Sequence, residues 1–322
     1  MKAIWVTERG DASRLQYRDL PTPHAGAQEV LVRLEAIGVN FLDILQRQGS
    51  YWGPLPYVPG QEGCGIVEAV GGEVRDLRVG QRVCFSQVLG SYAEYIAFAA
   101  VRAVPVPEGV EPQVAVGAMI QGMTAHYLVF DTYRVQPGDW VLVHAAAGGT
   151  GRLVVQAAKS AGATVIATVS SDDKAPIARE AGADHVINYA QQDFAAAARA
   201  LPGFKKLAAV YDSVGQATFE QGLGLLRRRG MMVVYGRSSG PVEPYDINKL
   251  NPLGSLFLTR PNLFDYVYTR KDLLVRAGAV FEMLRDGRLS VLIGKTYPLA
   301  EAAAAQSDLE ARHTTGKLVL LP

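Results

Sequence analysis

Cysteine is nearly missing from this chain of 322 residues: Cys64 and Cys84 are the only two. Two cysteines cannot build a disulfide framework, and no C-x-x-C pair exists to hold a metal or a redox couple. Charge of one sign is missing too. The 32 Lys and Arg face 31 Asp and Glu, a formal net charge of +1, which supplies no field for collecting nucleic acid or anionic membrane. No uncharged run approaches the roughly 20 apolar residues that span a bilayer, and Met1 to Asp11 lacks the apolar centre of a secretion signal. The expectation is a soluble, unprocessed, cytoplasmic protein with no nucleic-acid partner and no membrane insertion.

The length exceeds what one hydrophobic core usually organises, and 49% hydrophobic residues are enough to fill two. Up to about residue 120 the chain has short β-rich runs, among them Val30–Ile37, Gly65–Val70 and Gln81–Phe85, separated by Pro and Gly clusters at 21–26, 53–60 and 71–72. This pattern predicts an irregular, mostly antiparallel β domain. From about residue 122 strand, glycine turn and Ala-rich helix alternate: Trp140–Ala145 then Gly149–Ala161, Thr164–Val169 then Lys174–Ala181, and His185–Asn188. The series continues with Ala208–Asp212, a helix Phe219–Leu226, Met231–Tyr235 and an apolar strand Ser255–Leu258. Alternation of this kind predicts right-handed βαβ units and a doubly wound parallel sheet of about six strands. Helical patterns at Lys271–Asp286 and Leu299–Glu310 and a strand Lys317–Leu321 then return the chain to its first domain.

A strand, a turn and a helix meet in Val141–Gln156, with Ala147, Gly148, Gly149, Thr150 and Gly151 forming the turn. Glycines there let backbone N–H groups approach a dinucleotide's pyrophosphate at the helix N-terminus. A turn requiring positive φ would select glycine as well; the strand before and the helix after favour the dinucleotide. NAD-selective sites carry a carboxylate at the end of the second strand, but here that strand ends Thr168-Val169-Ser170-Ser171. Ser170, Lys174 and Tyr189 can instead receive a 2′-phosphate, which favours NADPH. The alternative makes Lys174 an ordinary surface cation, with Asp172 and Asp173 capping its helix.

Several motifs together resemble the zinc-independent, zeta-crystallin-like quinone oxidoreductases of the medium-chain dehydrogenase/reductase superfamily, over essentially the whole chain. They are Gly38-Val39-Asn40-Phe41-Leu42-Asp43, Pro59-Gly60-Gln61-Glu62-Gly63-Cys64-Gly65-Ile66-Val67, Gln121-Gly122-Met123-Thr124-Ala125, the Ala145–Gly151 turn and Asp212-Ser213-Val214-Gly215. Gly230-Met231-Met232, Ser238-Ser239-Gly240, Leu258-Thr259-Arg260-Pro261 and Thr314-Thr315-Gly316-Lys317 follow in order. The resemblance implies an α/β fold: a GroES-like β domain from 1–121 and 263–322 around a Rossmann domain at 122–262, with substrate and nicotinamide in the cleft between them. Zinc-dependent relatives have cysteine where this chain has Asn40 and histidine where it has Gln61. Neither replacement is a good zinc ligand. The structural-zinc lobe needs four cysteines, and Cys84 to Val104 offers one. No metal is therefore expected, and an acceptor that is already electrophilic, such as a quinone, suits a site without a Lewis acid.

By the same resemblance Asn40 and Thr124 lie near the nicotinamide, Thr124 starting the helix that leads into the nucleotide domain. Tyr51 matches a tyrosine that can hydrogen-bond a carbonyl or relay a proton; it reads equally well as a surface aromatic. Ser213, Gly215, Tyr235, Gly236, Ser238 and Ser239 stand at strand ends, where ribose and nicotinamide belong. Arg260 and Lys317 match positions that approach the cofactor or its phosphates, or are exposed charges. Asp43 is assigned to structure or to orienting a neighbour, and Glu62 to a cation. Gln121 departs from the family's more frequent lysine. His126 and His144 are read as core residues without chemistry. The implied activity is hydride or electron transfer from NADPH to a small-molecule quinone. An alkenal or enone double-bond reductase and an NADPH-binding structural or RNA-binding protein are the alternatives. The apolar edge strand predicts a homodimer.

Overall fold

A computed structural model describes residues 1–51 and 53–322; Trp52, inside the loop that carries Tyr51, lies outside the described residues. The chain divides into two compact units, one of Met1–Ile120, Val267–Phe281 and Val291–Pro322, the other of Gln121–Tyr266 and Glu282–Ser290.

The first unit opens with strands β1 (Lys2–Trp5), β2 (Gln16–Asp19), β3 (Glu29–Val39), β4 (Glu62–Val70), β5 (Arg82–Ser86), β6 (Tyr95–Ala99) and β7 (Val104–Pro105). The second unit contributes β8 (Trp140–Val143), β9 (Thr164–Val169), β10 (His185–Asn188), β11 (Leu207–Asp212), β12 (Leu226–Val234) and β13 (Phe257–Thr259). The chain then returns to the first unit through β14 (Ile293–Pro298) and β15 (Lys317–Leu321).

In the first unit β14, β15, β3, β4, β5 and β7 follow one another in a seven-stranded sheet, with β6 also paired to β3. All of its pairings are antiparallel except β14 with β15. Inward residues alternate along the first half of β3, as a strand with one covered face requires. Val30, Val32, Phe85, Phe98, Leu318 and Leu320 share one core. The last helix is locked on by a buried guanidinium: Arg47, in the helix Phe41–Gln48, donates to Glu310 at 2.8 Å.

The second unit holds a parallel six-stranded sheet in the order β10-β9-β8-β11-β12-β13. The strand order reverses direction between β8 and β11, the switch point outside which doubly wound sheets bind ligands. Strands β8, β9 and β11 are almost wholly buried, as a sheet covered on both faces demands.

Boundaries shift where tertiary geometry prevails over local pattern. The helix expected to Leu226 stops at Leu223, because Leu226 pairs with Leu207 and already belongs to β12. Three exposed arginines then loop out of the pairing, Arg229 with φ 57°, before Met231 rejoins β11 opposite Ala209. Ser255 has φ 55°, which excludes it from the edge strand and delays β13 to Phe257. The helix expected from Lys174 begins as a 3-10 turn, Asp172–Lys174, and becomes α-helical at Ala175–Glu180. Leu299–Glu301 is likewise a 3-10 turn ahead of Ala302–Glu310. Among the described residues no helix is long and apolar enough to cross a membrane.

His144, just beyond β8, behaves as the core residue expected. It is fully buried, its Nδ1 lies 2.9 Å from Thr168 Oγ1, and Phe194 packs edge-on against its ring. Burial pushes its pKa down to about 4 from 6.5. The unfolded chain thus binds a proton between pH 6.5 and 4 that the folded chain refuses, and stability is lost as pH falls through that window. His144→Asn, measured by thermal melting, is expected to shrink the loss of Tm between pH 6.5 and 4.5; an unchanged loss would show that this imidazole is not its source.

Candidate active site

The turn after β8 is built by close backbone contacts. Ala145 takes φ 52°, Ala146 donates its N–H to Thr168 O at 3.0 Å, and Gly148 caps the helix Gly149–Ser160. No side chain satisfies the first N–H groups of that helix from its cap residue, so they remain for an anion. Gly151 is dictated by close approach: a Cβ there would overlap Ala145 O. At Gly149 a Cβ would overlap the Gln121 carboxamide. Gln121, which sequence reading left without a role, therefore lies over the start of the helix Gly149–Ser160.

At the tip of β9, Lys174 Nζ donates to Ser170 Oγ at 3.2 Å. Tyr189 follows β10 and donates its N–H to Val169 O at 3.1 Å, which sets its backbone beside the same tip. Asp172 does not cap the helix as expected. Its two oxygens accept from Asn188 Nδ2 at 2.9 Å and Gln191 Nε2 at 2.8 Å, which turns the carboxylate toward the end of β10.

The loops after β11 and β12 are laced to each other. Asp212, fully buried, accepts from the N–H groups of Val214 and Gly215 at 2.7 and 2.9 Å and from Thr218 Oγ1 at 2.8 Å. Ser238 N–H donates to Ser213 O at 3.2 Å, and Ser239 Oγ to Val214 O at 2.8 Å. Gly236 must lack a Cβ because Ser213 O occupies its place. Ser213, Gly215, Gly236, Ser238 and Ser239 are thus brought together, and Tyr235, just before Gly236, has a phenol that burial holds well above its ordinary pKa. Arg260 is exposed and donates to Pro261 O at 3.2 Å.

Thr124 is buried within a continuous helical run rather than at its start. A π-helical turn, Ala118–Gly122, precedes Met123–Tyr127 and another, Leu128–Thr132, follows it. Wide turns of this type cluster at functional sites.

In the first unit Asn40 stands at the N-cap of the helix Phe41–Gln48 inside a charged network. Its Nδ2 donates to Glu62 Oε1 at 2.8 Å and its Oδ1 accepts from Lys317 Nζ at 3.0 Å. Lys317 also pairs with Glu62 at 2.5 Å and donates to Val39 O at 3.2 Å. Both charged side chains are 0% exposed, so Lys317 is neither a surface cation nor directed at a phosphate; its three hydrogens are already engaged. Breaking such a pair by removing one partner costs about 3–5 kcal/mol. Glu62 meets the cation anticipated for it, and its second oxygen accepts from Ile120 N–H at 2.7 Å. Tyr51 is 44% exposed, and its N–H donates to Leu45 O at 3.1 Å.

Comparison with known proteins assigns residues 26–108 to the alcohol dehydrogenase GroES-like domain and 149–272 to the zinc-binding dehydrogenase family. A quinone oxidoreductase of Pseudomonas aeruginosa is 41% identical, covering 100% of this chain and 99% of that one. The chain belongs to the quinone oxidoreductase family. A 2-haloacrylate reductase of a Burkholderia species is 40% identical over 99% of this chain and 98% of that one. The crystal structure of Escherichia coli quinone oxidoreductase complexed with NADPH superimposes with a TM-score of 0.97 at 37% identity, covering 100% of both chains.

Although one family description includes zinc, the donors of this quinone oxidoreductase do not fit that metal. The Asn40 amide is held between an ammonium and a carboxylate, and Gln61 Nε2 donates to Gln46 Oε1 at 3.0 Å. Cys64 and Cys84 are buried, with the Cys64 thiol pushed up to about 12, far from the thiolate that zinc binds. Among the described residues no three His, Cys, Asp or Glu converge.

Asp43, one turn into the same helix, accepts from Asn40 N–H at 2.9 Å and from Tyr92 Oη at 3.0 Å. Burial nonetheless raises its pKa to about 7 from 3.8. The folded chain therefore holds this proton more tightly than the unfolded one. The stability it contributes is complete below about pH 4 and lost as pH rises through 7. Asp43→Asn mimics the protonated acid, so its Tm relative to wild type is expected to rise between pH 4 and pH 8, by on the order of 2–4 kcal/mol in stability. A difference that stays constant across that range contradicts the assignment.

Proposed function

We propose that this chain is an NADPH-dependent quinone oxidoreductase that works without zinc, as a cytoplasmic homodimer. The observation that carries the reading is the tip of β9, where Lys174 and Ser170 meet and the nearby Asp172 carboxylate is bound to Asn188 and Gln191. A ribose 2′-phosphate finds a cation and a hydroxyl there, and β9 ends in Ser170 and Ser171 where NAD-selective sites carry a carboxylate.

The residues fit the cofactor. The N–H groups at Gly149, Thr150 and Gly151, with Ala147 and Gly148 leading into them, take the diphosphate; any side chain at Gly149 or Gly151 would collide with its neighbours. Ser170, Lys174 and Tyr189 take the 2′-phosphate. Ser213, Gly215, Tyr235, Gly236, Ser238, Ser239 and Thr124 line the ribose and nicotinamide, and Arg260 approaches the cofactor or its phosphates. Bound NADPH supplies a hydride from its nicotinamide ring. Asn40 donates an amide hydrogen to the carbonyl oxygen of the acceptor, where negative charge develops. Tyr51 or solvent supplies the proton. We assign the substrate domain to 1–121 and 263–322 and the nucleotide domain to 122–262.

A second reading, reduction of an activated C=C bond, is favoured by the 40% identity to the 2-haloacrylate reductase. Homodimerisation is supported by β13, an edge strand whose Phe257 and Leu258 are 54% and 38% exposed.

Oxidation of NADPH and NADH by 1,4-benzoquinone, with and without a chelator, tests the function: NADPH is expected to be preferred and the chelator to have no effect. Turnover of an alkenal alone would shift the reading to C=C reduction. Losing a charge-assisted hydrogen bond, Lys174→Ala is expected to raise KM for NADPH about 10- to 100-fold and to change KM for NADH little; equal effects on both cofactors would remove the 2′-phosphate from this site. Light scattering at micromolar concentration is expected to give the mass of two chains, and the mass of one would refute the dimer.

A further inference from the structure

The Asn40 carboxamide is held at both ends by charges of opposite sign. Its Oδ1 faces the Lys317 ammonium at 3.0 Å and its Nδ2 faces Glu62 Oε1 at 2.8 Å. Turning the amide over would set its oxygen against the carboxylate and its hydrogens against the ammonium, so the two charges admit one orientation. Neither charged side chain is open to a ligand, each being 0% exposed. The ammonium donates to Val39 O, Asn40 Oδ1 and Glu62 Oε1, and Glu62 Oε2 accepts from Ile120 N–H. Asn40 differs: it is 7% exposed, and one of its two Nδ2 hydrogens stays outside this network.

A fully buried ion pair is a weak source of stability, since an apolar pair of similar volume serves as well or better. Its retention beside an amide proposed to contact substrate calls for a role that an apolar pair cannot fill. We propose that Lys317, with Glu62 as its counter-ion, is a positioning residue for the reduction reaction: it locks the Asn40 carboxamide so that an N–H, and not an oxygen lone pair, meets the carbonyl oxygen of the acceptor. The inference rests on the assignment of Asn40 to the acceptor in the proposed function. With the lock in place, the hydrogen bond strengthens as hydride arrives and charge builds on that oxygen. With the lock removed, the amide samples both orientations, and the one that presents oxygen opposes the same charge.

The test uses the full-length protein, steady-state reduction of 1,4-benzoquinone, NADPH binding followed by fluorescence, and thermal melting. Glu62→Gln with Lys317→Met removes both charges together, so neither is stranded. That double variant is expected to bind NADPH as wild type does and to keep KM for the quinone, while kcat falls about tenfold or more through misplacement of the amide. In an Asn40→Ala background the same two changes are expected to lower kcat no further. A folded double variant with undiminished kcat, or an equal additional loss in the Asn40→Ala background, overturns the proposal. Should the double variant not fold, Glu62→Leu with Lys317→Leu, which puts an apolar pair in place of the charged one, carries the same expectations and the same contrary outcomes. Failure of the underlying reading looks different: Asn40→Ala would itself leave kcat unchanged.

Discussion

The buried carboxylate of Glu62 is the constraint on which the first unit turns. A charge without solvent must be met on every side. Here the partners come from the last strand, from the cap of a helix forty residues into the chain and from the backbone at Ile120. Gly38 carries no side chain because Glu62 occupies the place where one would start. A single acidic residue on β4 thereby ties β3, β15 and Asn40 into one arrangement, and the two ends of a discontinuous unit are registered against each other by charge as well as by the pairing of β15 with β3.

In the second unit the corresponding constraint is steric. The helix after β8 starts so close to the preceding turn that Gly151 tolerates no Cβ. That approach presents the helix N-terminus at the point where the sheet order reverses. Asp212 performs the parallel task after β11, folding its own strand end into a turn against the loop that follows β12. These two turns are therefore shaped mostly by backbone, by what glycine permits and by one buried acid. In the proposed function, specificity for the ribose phosphate falls to Ser170 and Lys174 at the tip of β9.

Much of this was legible in the sequence because the determinants are local. The six strands of the parallel sheet, the glycine turn and the pair Ser170 and Lys174 lie within short stretches whose periodicity or spacing carries the signal. The failures are non-local. Lys317 was taken for a cofactor contact or an exposed charge because its partners, Val39, Asn40 and Glu62, stand more than 250 positions away. Leu226 continued a helical pattern but pairs with Leu207. Asp172 had the composition of a cap, yet Asn188 and Gln191 claim both of its oxygens. Gln121 gave no sign of lying over Gly149, since only the folded backbone brings them together.

The proposed function comes down to one chemical claim: bound NADPH would give hydride directly to an electrophilic acceptor, whose oxygen the Asn40 amide would meet. Single-turnover oxidation of NADPH deuterated at C4, each epimer taken separately and mixed with 1,4-benzoquinone, tests that claim most directly. The account predicts that one epimer slows the reaction and the other does not, because a bound nicotinamide offers one face. Equal rates for both epimers and for unlabelled NADPH would contradict direct, face-selective transfer.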